Sequence, residues 1–464
     1  LDRFANAPID DDVRTRVIEL LRDQPDEAVT QIHPLEMAAA WQLDGRKTIE
    51  AFLHATRSGL TELEWQIDCP SCRVGTDAVP RLDAIRGRIH CAECNISFDV
   101  DFAANVHATF TVHPAIRKVA RVVYCATSPY FSPHVHGYVT LAPDEGRELG
   151  PLPAGGILLR ARGTTRSLTI DRETAGAAIA IGDEAITVDD TAAPGEHTLR
   201  VVNRGSHPAR LQVERAGWRS LRAHGGLICT IPGFTELFGT DAPATGLPLA
   251  IGRLAVLFTD LVGSVDLYNK VGDARAFALV QEHWRDAMAA IAERNGAVIK
   301  TLGDGVFASF TELSDAVEAA IDIMAAGERL GRDHQIPFAI RAGIHEGPCF
   351  LVRANDRLDL FGSTVNLAAR LSATAGGQQL AMLETSANQV SRVFERERCE
   401  VEHVMSRIRG LPGEFRIGMM TRSGRGLATG ERPLIERSRT GPILARSSTP
   451  ELPIVPSKDP ASVD

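Results

Sequence analysis

Two sets of side chains in this sequence carry chemistry by type and spacing: cysteines paired between residues 69 and 94, and carboxylates set in turns after residue 259. Cys69-Pro-Ser-Cys72 and Cys91-Ala-Glu-Cys94 flank the eighteen residues 73–90. Two C-x-x-C knuckles at this separation let four thiolates converge tetrahedrally on one Zn²⁺, the span between them returning as a β-hairpin. Four-thiolate coordination leaves no open position for water or substrate, so such a site is structural. A pair of reduced dithiols or a redox switch is the competing reading. Cys125, Cys229, Cys349 and Cys399 are scattered, as buried free thiols are.

The carboxylates read differently. In LAVLFTDLVGS an apolar run from Leu254 to Thr259 ends on Asp260, before a turn with Gly263 and Ser264. In AVIKTLGDGVFASF two β runs join through Leu302-Gly303-Asp304-Gly305, with Lys300 on the first run. A ferredoxin-like sheet would bring this turn beside the end of the first strand, where Asp260 and Asp304 could share metal ions. Two acids with little else nearby suit Mg²⁺, which binds through one or two carboxylates plus substrate phosphates. Downstream, Asp359-Leu360-Phe361-Gly362 leads into a helix from about Ser363. On it Asn366 and Arg370 stand at i and i+4, on one face. Each acid alone reads equally as a cap or turn residue. The combination is the signal.

Elements must position these groups. Val13, Val17, Leu20 and Leu21 repeat at helical spacing, Pro34 can open a second helix, and Gly45 and Gly59 punctuate the following ones. Residues 1–62 are therefore expected to form a helical module. Two helices around Leu43-Asp44-Gly45 resemble a helix-turn-helix, yet residues 1–65 hold seven Lys or Arg against thirteen Asp or Glu. Phosphate neutralisation needs clustered positive charge, so a packing or dimerisation module is expected and nucleic acid is not a partner. Residues 63–230 switch to a period of two, as in Ile96, Phe98, Val100 and Phe102, and predict the zinc-ribbon hairpin followed by an antiparallel, sandwich-like β domain. His113, His134 and His136 fall there, and strand histidines are ordinarily surface or core residues rather than ligands. Residues 231–251, rich in Gly and Pro, read as a linker, 252–420 as a second α+β domain, and 421–464 as a disordered tail.

The whole chain is a multidomain α+β protein on this reading. Its 464 residues suit about three domains. Hydrophobic residues at 44% and charged ones at 23% exclude global disorder. A net charge of −9 disfavours a dedicated polyanion binder. No apolar run of about eighteen residues appears, and the N-terminal stretch has neither a basic region nor an apolar core, so a cytoplasmic protein without a transmembrane segment is expected.

In this order and spacing, FTDLVGS, KTLGDG and DLFGSTVNLAAR resemble the signature of the class III adenylate/guanylate cyclases over roughly residues 252–420. The front part resembles a cysteine-bearing region found ahead of some bacterial cyclase domains. The resemblance implies that Asp260 and Asp304 ligate two Mg²⁺ or Mn²⁺ ions, that Lys300 and Asp359 select the base, that Asn366 orients the ribose, and that Arg370 stabilises the transition-state phosphate. Arg409 aligns loosely with a triphosphate contact. It also implies an active site shared between two cyclase domains, which one chain supplies as a head-to-tail homodimer. Adenine presents an acceptor at N1 and a donor at N6, complementing Lys300 and Asp359, whereas guanine inverts both. ATP is thus the expected substrate and cyclic AMP the product. The alternatives are a guanylate cyclase, a catalytically weak nucleotide-binding or dimerisation module, and a transcription regulator.

Overall fold

The computed structural model describes residues 2–119, 134–150, 156–161, 166–170, 178–189, 199–216 and 221–422. The expected tail beyond residue 422 and Cys125 lie outside them.

At the N-terminus, the Asp11–Asp23 helix buries Val13, Val17, Leu20 and Leu21, the predicted stripe. Pro34 opens the Pro34–Trp41 helix, where its missing N–H costs nothing. Asp44 caps the Gly45–Arg57 helix, its side chain accepting from Lys47 N at 2.9 Å. This helix buries Thr48, Ile49, Ala51, Phe52, Leu53 and Ala55, so most of its circumference is packed. These helices lie against a three-stranded antiparallel sheet with Thr61–Asp68 between Gly75–Val79 and Val106–Val112. Trp65 on the middle strand is buried against Phe102 and Phe234.

Two four-stranded sheets follow between Val135 and Arg215, enclosing a core that includes Leu159, Ile179, Leu199, Val201 and Leu211. This sandwich departs from the expectation at one pair: Ala178–Ile181 runs parallel to Leu199–Asn203. Alternating hydrophobicity reports which face a residue takes and is silent on strand direction.

The segment 231–251, read above as a linker, is built into the core. Pro232–Phe238 is a helix, Phe234 and Phe238 are buried, and the next strand already begins at Leu249. Gly and Pro here serve close packing and a helix start. A single apolar cluster consequently runs from the N-terminal helices through Trp65 and Phe234 to Leu249, Ile251, Leu254 and Val256.

The C-terminal part has the order strand Leu249–Val262, helices Ser264–Val271 and Asp273–Glu293, strands Ala297–Leu302 and Gly305–Phe310, helix Leu313–Asp333, strand Ala339–Ala354. This is a β-α-β-β-α-β arrangement, with the Leu249–Val262 strand between Gly305–Phe310 and Ala339–Ala354. Strands Gln379–Leu383, Phe415–Arg422 and Cys399–Ser406 extend the sheet, and Arg357–Phe361 pairs with the end of Ala339–Ala354. Helix Ser363–Thr374 packs on the Ala339–Ala354 strand at very close range. A Cβ on Gly343 would lie 2.0 Å from Ser372 N, so only glycine permits the approach. Among the described residues no helix is long and apolar enough to cross a membrane.

Candidate active site

The strand carrying Asp260 runs two residues beyond it, to Val262, rather than ending there, and the turn carrying Asp304 lies against this strand. Thr259 Oγ1 accepts from Val306 N at 3.0 Å, locking the turn to the strand. A Cβ on Gly305 would stand 2.0 Å from Thr259 O, so backbone runs against backbone there. Asp304 then lies beside the Asp260 carboxylate, with Ser264 and the Leu261 N–H close by. Burial, followed by the adjoining Asp260, pushes the Asp304 carboxyl above the usual range, and Ser264 and Leu261 N–H oppose the shift. Two acids held together in a half-buried turn are a donor set for a hard divalent cation.

Arg341, which the sequence reading did not single out, is the third member. It sits opposite Asp260 in the strand register, and its Nε donates to Asp260 Oδ2 at 2.8 Å, with Nη2 donating to the same oxygen. The signal for it is cross-strand register, which a one-dimensional sequence does not display.

Lys300 and Asp359, fifty-nine residues apart, also meet: Lys300 Nζ donates to Asp359 Oδ2 at 2.5 Å and lies 5.8 Å from the Phe307 ring centroid. Asp359 is further held by Leu360 N, which donates to its Oδ1 at 2.9 Å. Asn366 and Arg370 share the Ser363–Thr374 helix; Asn366 is exposed and Arg370 half-buried. The Arg370 guanidinium packs against Gly410, beside the exposed Arg409. Among the described residues no hydrogen bond or ion pair joins Asp260 or Asp304 to Lys300, Asp359, Asn366 or Arg370.

The segment after the N-terminal region touches both strands of the Lys300–Asp359 pair. Thr235 Oγ1 donates to Val298 O at 3.1 Å, and Leu358 N donates to Gly239 O at 2.7 Å. Arg353 adds bonds to the carbonyls of Ala242 and Pro243, both at 3.0 Å.

In the front part, the sulfurs of Cys69, Cys72, Cys91 and Cys94 all lie within 4.8 Å of one another. Each knuckle turns through a left-handed residue directly after its second cysteine, Arg73 at φ 58° and Asn95 at φ 52°. The span 73–90 does not return on itself as a hairpin: its Gly75–Val79 strand pairs with Thr61–Asp68, and the hairpin of Arg88–Cys91 with Ile96–Asp99 turns at the second knuckle instead. The Cys72 thiol beside it draws Cys69 down to about 5, so one thiolate is already favoured. His134 is buried and His136 exposed, and neither joins a metal-ligand cluster among the described residues.

Residues 249–414 match the family described as the adenylate and guanylate cyclase catalytic domain. The chain carries a class III adenylate/guanylate cyclase catalytic domain. Ahead of the cyclase domain, residues 4–127 match a family of unknown function, DUF5939. An adenylate cyclase of Streptomyces coelicolor is 35% identical over 124 residues, 26% of this chain and 30% of that protein. One from Streptomyces griseus is 33% identical over 124 residues, 26% of this chain and 29% of that protein. The chain thus spans less than a third of the length of the curated relatives it matches. The crystal structure of the adenylyl cyclase CyaB from P. aeruginosa covers 38% of this chain and 96% of its own, at 19% identity and a TM-score of 0.34.

Proposed function

We propose that this chain is an adenylate cyclase, converting ATP to 3′,5′-cyclic AMP and pyrophosphate in a head-to-tail homodimer. The observation that carries the reading is the juxtaposition of Asp260 and Asp304, two carboxylates of the kind that hold a divalent cation. Bound there, two Mg²⁺ or Mn²⁺ ions would lower the pKa of the ribose 3′-hydroxyl and neutralise the triphosphate. In the reaction the ribose 3′-hydroxyl gives up its proton to solvent, its oxygen bonds to the α-phosphorus, the bond from that phosphorus to the β-phosphate bridging oxygen breaks, and pyrophosphate leaves with the electron pair. Asp260 and Asp304 hold the charge that makes this geometry reachable. Asn366 orients the ribose, and Arg370 presents a planar fork of donors to the phosphate oxygens as charge shifts during transfer. Lys300 donates to adenine N1, and Asp359 accepts from N6. Positioning and charge stabilisation supply most of the rate.

The match to the cyclase catalytic domain supports the dimer, in which metal ligands of one protomer face base- and phosphate-binding residues of its partner. Apolar Val265 at 71% exposed and Phe361 at 62% flank those residues in sequence and would be covered by a second copy. The bonds from Thr235 to the strand of Lys300 and from Leu358, on the strand of Asp359, to Gly239, with those from Arg353 on the adjoining Ala339–Ala354 strand to the Ala242 and Pro243 carbonyls, support regulation of the base pocket by the N-terminal region. The four convergent thiols fit a structural Zn²⁺.

Parallel turnover of ATP and GTP tests the substrate. The wild-type chain is expected to favour ATP, and Lys300→Glu to lose that preference. Equal or greater kcat/KM for GTP in the wild type would replace this reading with a guanylate cyclase.

A further inference from the structure

The N-terminal region holds a cavity of about 480 Å³, bounded by the Asp11–Asp23 and Pro34–Trp41 helices and the Thr61–Asp68 and Val106–Val112 strands. None of the residues proposed for nucleotide turnover lines it. Its volume falls in the range of small-ligand sites.

His107 forms part of the inner wall and is 1% exposed, yet neither ring nitrogen has a hydrogen-bond partner among the described residues. Its Nδ1 stands 3.3 Å from Asp68 Oδ2 without hydrogen-bond alignment. The His33 ring lies 5.4 Å from that of His107, and its Nδ1 is also without a partner. Buried polar groups are nearly always paired, so two adjoining imidazoles with open nitrogens on a cavity wall mark a place for a polar ligand atom. Burial and then the charge of Arg222 hold both imidazoles well below their ordinary pKa, so each is neutral and keeps one N–H to donate.

Arg222 supplies the inner charge. It is 8% exposed and donates from Nη1 to Glu36 Oε1 at 3.1 Å. The positive field that disfavours protonation of His33 and His107 favours an anion in the same space. Glu19, Glu27, Glu36 and Asp68 line the cavity beside Arg16, Arg73 and Arg222, so four carboxylates against three guanidiniums leave no surplus of positive charge for a second negative group on a ligand. Met37 and Trp41 add an apolar side. A metal is the poorer occupant. Among the described residues only the four cysteines bring three or more ligand atoms within 4.8 Å, and His33, His107 and Asp68 do not.

We propose that this cavity binds a small organic monocarboxylate, its carboxylate against Arg222 and His107 and its apolar body against Met37 and Trp41. Occupation would supply the hydrogen bonds the imidazoles lack. The site is independent of nucleotide chemistry, so it stands or falls without reference to turnover.

The test titrates the full chain, without nucleotide, with acetate, butyrate and benzoate, and with succinate and inorganic phosphate as contrasts. Melting temperature and tryptophan fluorescence report binding. The expected result is saturable stabilisation that strengthens from acetate to benzoate and weakens by about tenfold or more in a Glu36→Gln, Arg222→Gln double variant, which removes both partners of the ion pair together. Met37→Trp, which fills the apolar side and leaves the pair in place, is expected to abolish benzoate binding even if the double variant fails to fold. Saturable binding of phosphate or succinate but of no monocarboxylate overturns the assignment. So does the absence of any saturable effect, or benzoate binding that Met37→Trp leaves unchanged.

Discussion

Arg341 Nε donates to Asp260 Oδ2 at 2.8 Å from the position directly opposite on the neighbouring strand. The guanidinium fixes one oxygen of a carboxylate whose neighbour, Asp304, already carries a raised pKa. Arg341 is thus a positioning residue for the paired acids. Arg341→Gln is expected to lower kcat by about tenfold or more through loss of that orientation. The melting temperature should change little, because the pair is about a third exposed and contributes roughly 0–1 kcal/mol. An unchanged kcat in a folded variant would remove Arg341 from the site.

Gly305 tests the contact between turn and strand. Its substitution by Ala drives a Cβ into Thr259 O, which is backbone and has nowhere to go. Gly305→Ala should destabilise the chain by about 1–3 kcal/mol and separate Asp304 from Asp260. Denaturant unfolding and cyclic AMP yield should fall together, whereas the same change at Gly137, with nothing within 4 Å of a Cβ and no positive φ, should alter neither.

The cysteine cluster makes a separate claim. Purified chain should carry one equivalent of Zn²⁺, and Cys91→Ser should lose it, because three thiolates bind far more weakly than a closed set of four. Chelation should lower the melting temperature of the wild type and leave that of Cys91→Ser unmoved. Metal analysis beside thermal unfolding checks both.

Acid sensitivity follows from buried neutral histidines. Burial pushes His283 down to about 4 and His134 to about 3. The unfolded chain takes up these protons near pH 6.5 and the folded chain does not. Stability is therefore full above that value and falls as pH drops through it toward about 4, by up to roughly 1.4 kcal/mol per pH unit for each such histidine. His283→Leu should show a shallower loss than wild type between pH 6.5 and 5 in chemical denaturation.

How much of this was legible in the chain depends on the range of the interaction. Local signals were readable: the Val13, Val17, Leu20, Leu21 stripe, the Leu43-Asp44-Gly45 turn between helices, the two cysteine knuckles, and the turn that holds Asp304. The Lys300–Asp359 contact entered through a family resemblance, since fifty-nine residues separate the partners. Arg341 stayed hidden because strand register belongs to the folded sheet. The Pro232–Phe238 helix stayed hidden because its Gly and Pro content imitates a loop, while burial of Phe234 and Phe238 decides its state. The unpaired imidazoles of His33 and His107 come together only through tertiary structure.

The most direct measurement is cyclic AMP formed from ATP by the purified chain with Mg²⁺ and with Mn²⁺, beside Asp304→Ala. The account predicts cyclic AMP and pyrophosphate in equal amounts from the wild type and none above background from a folded Asp304→Ala. Cyclic AMP at wild-type rates from that variant, or no cyclic nucleotide from the folded, dimeric wild type under either metal, would contradict it.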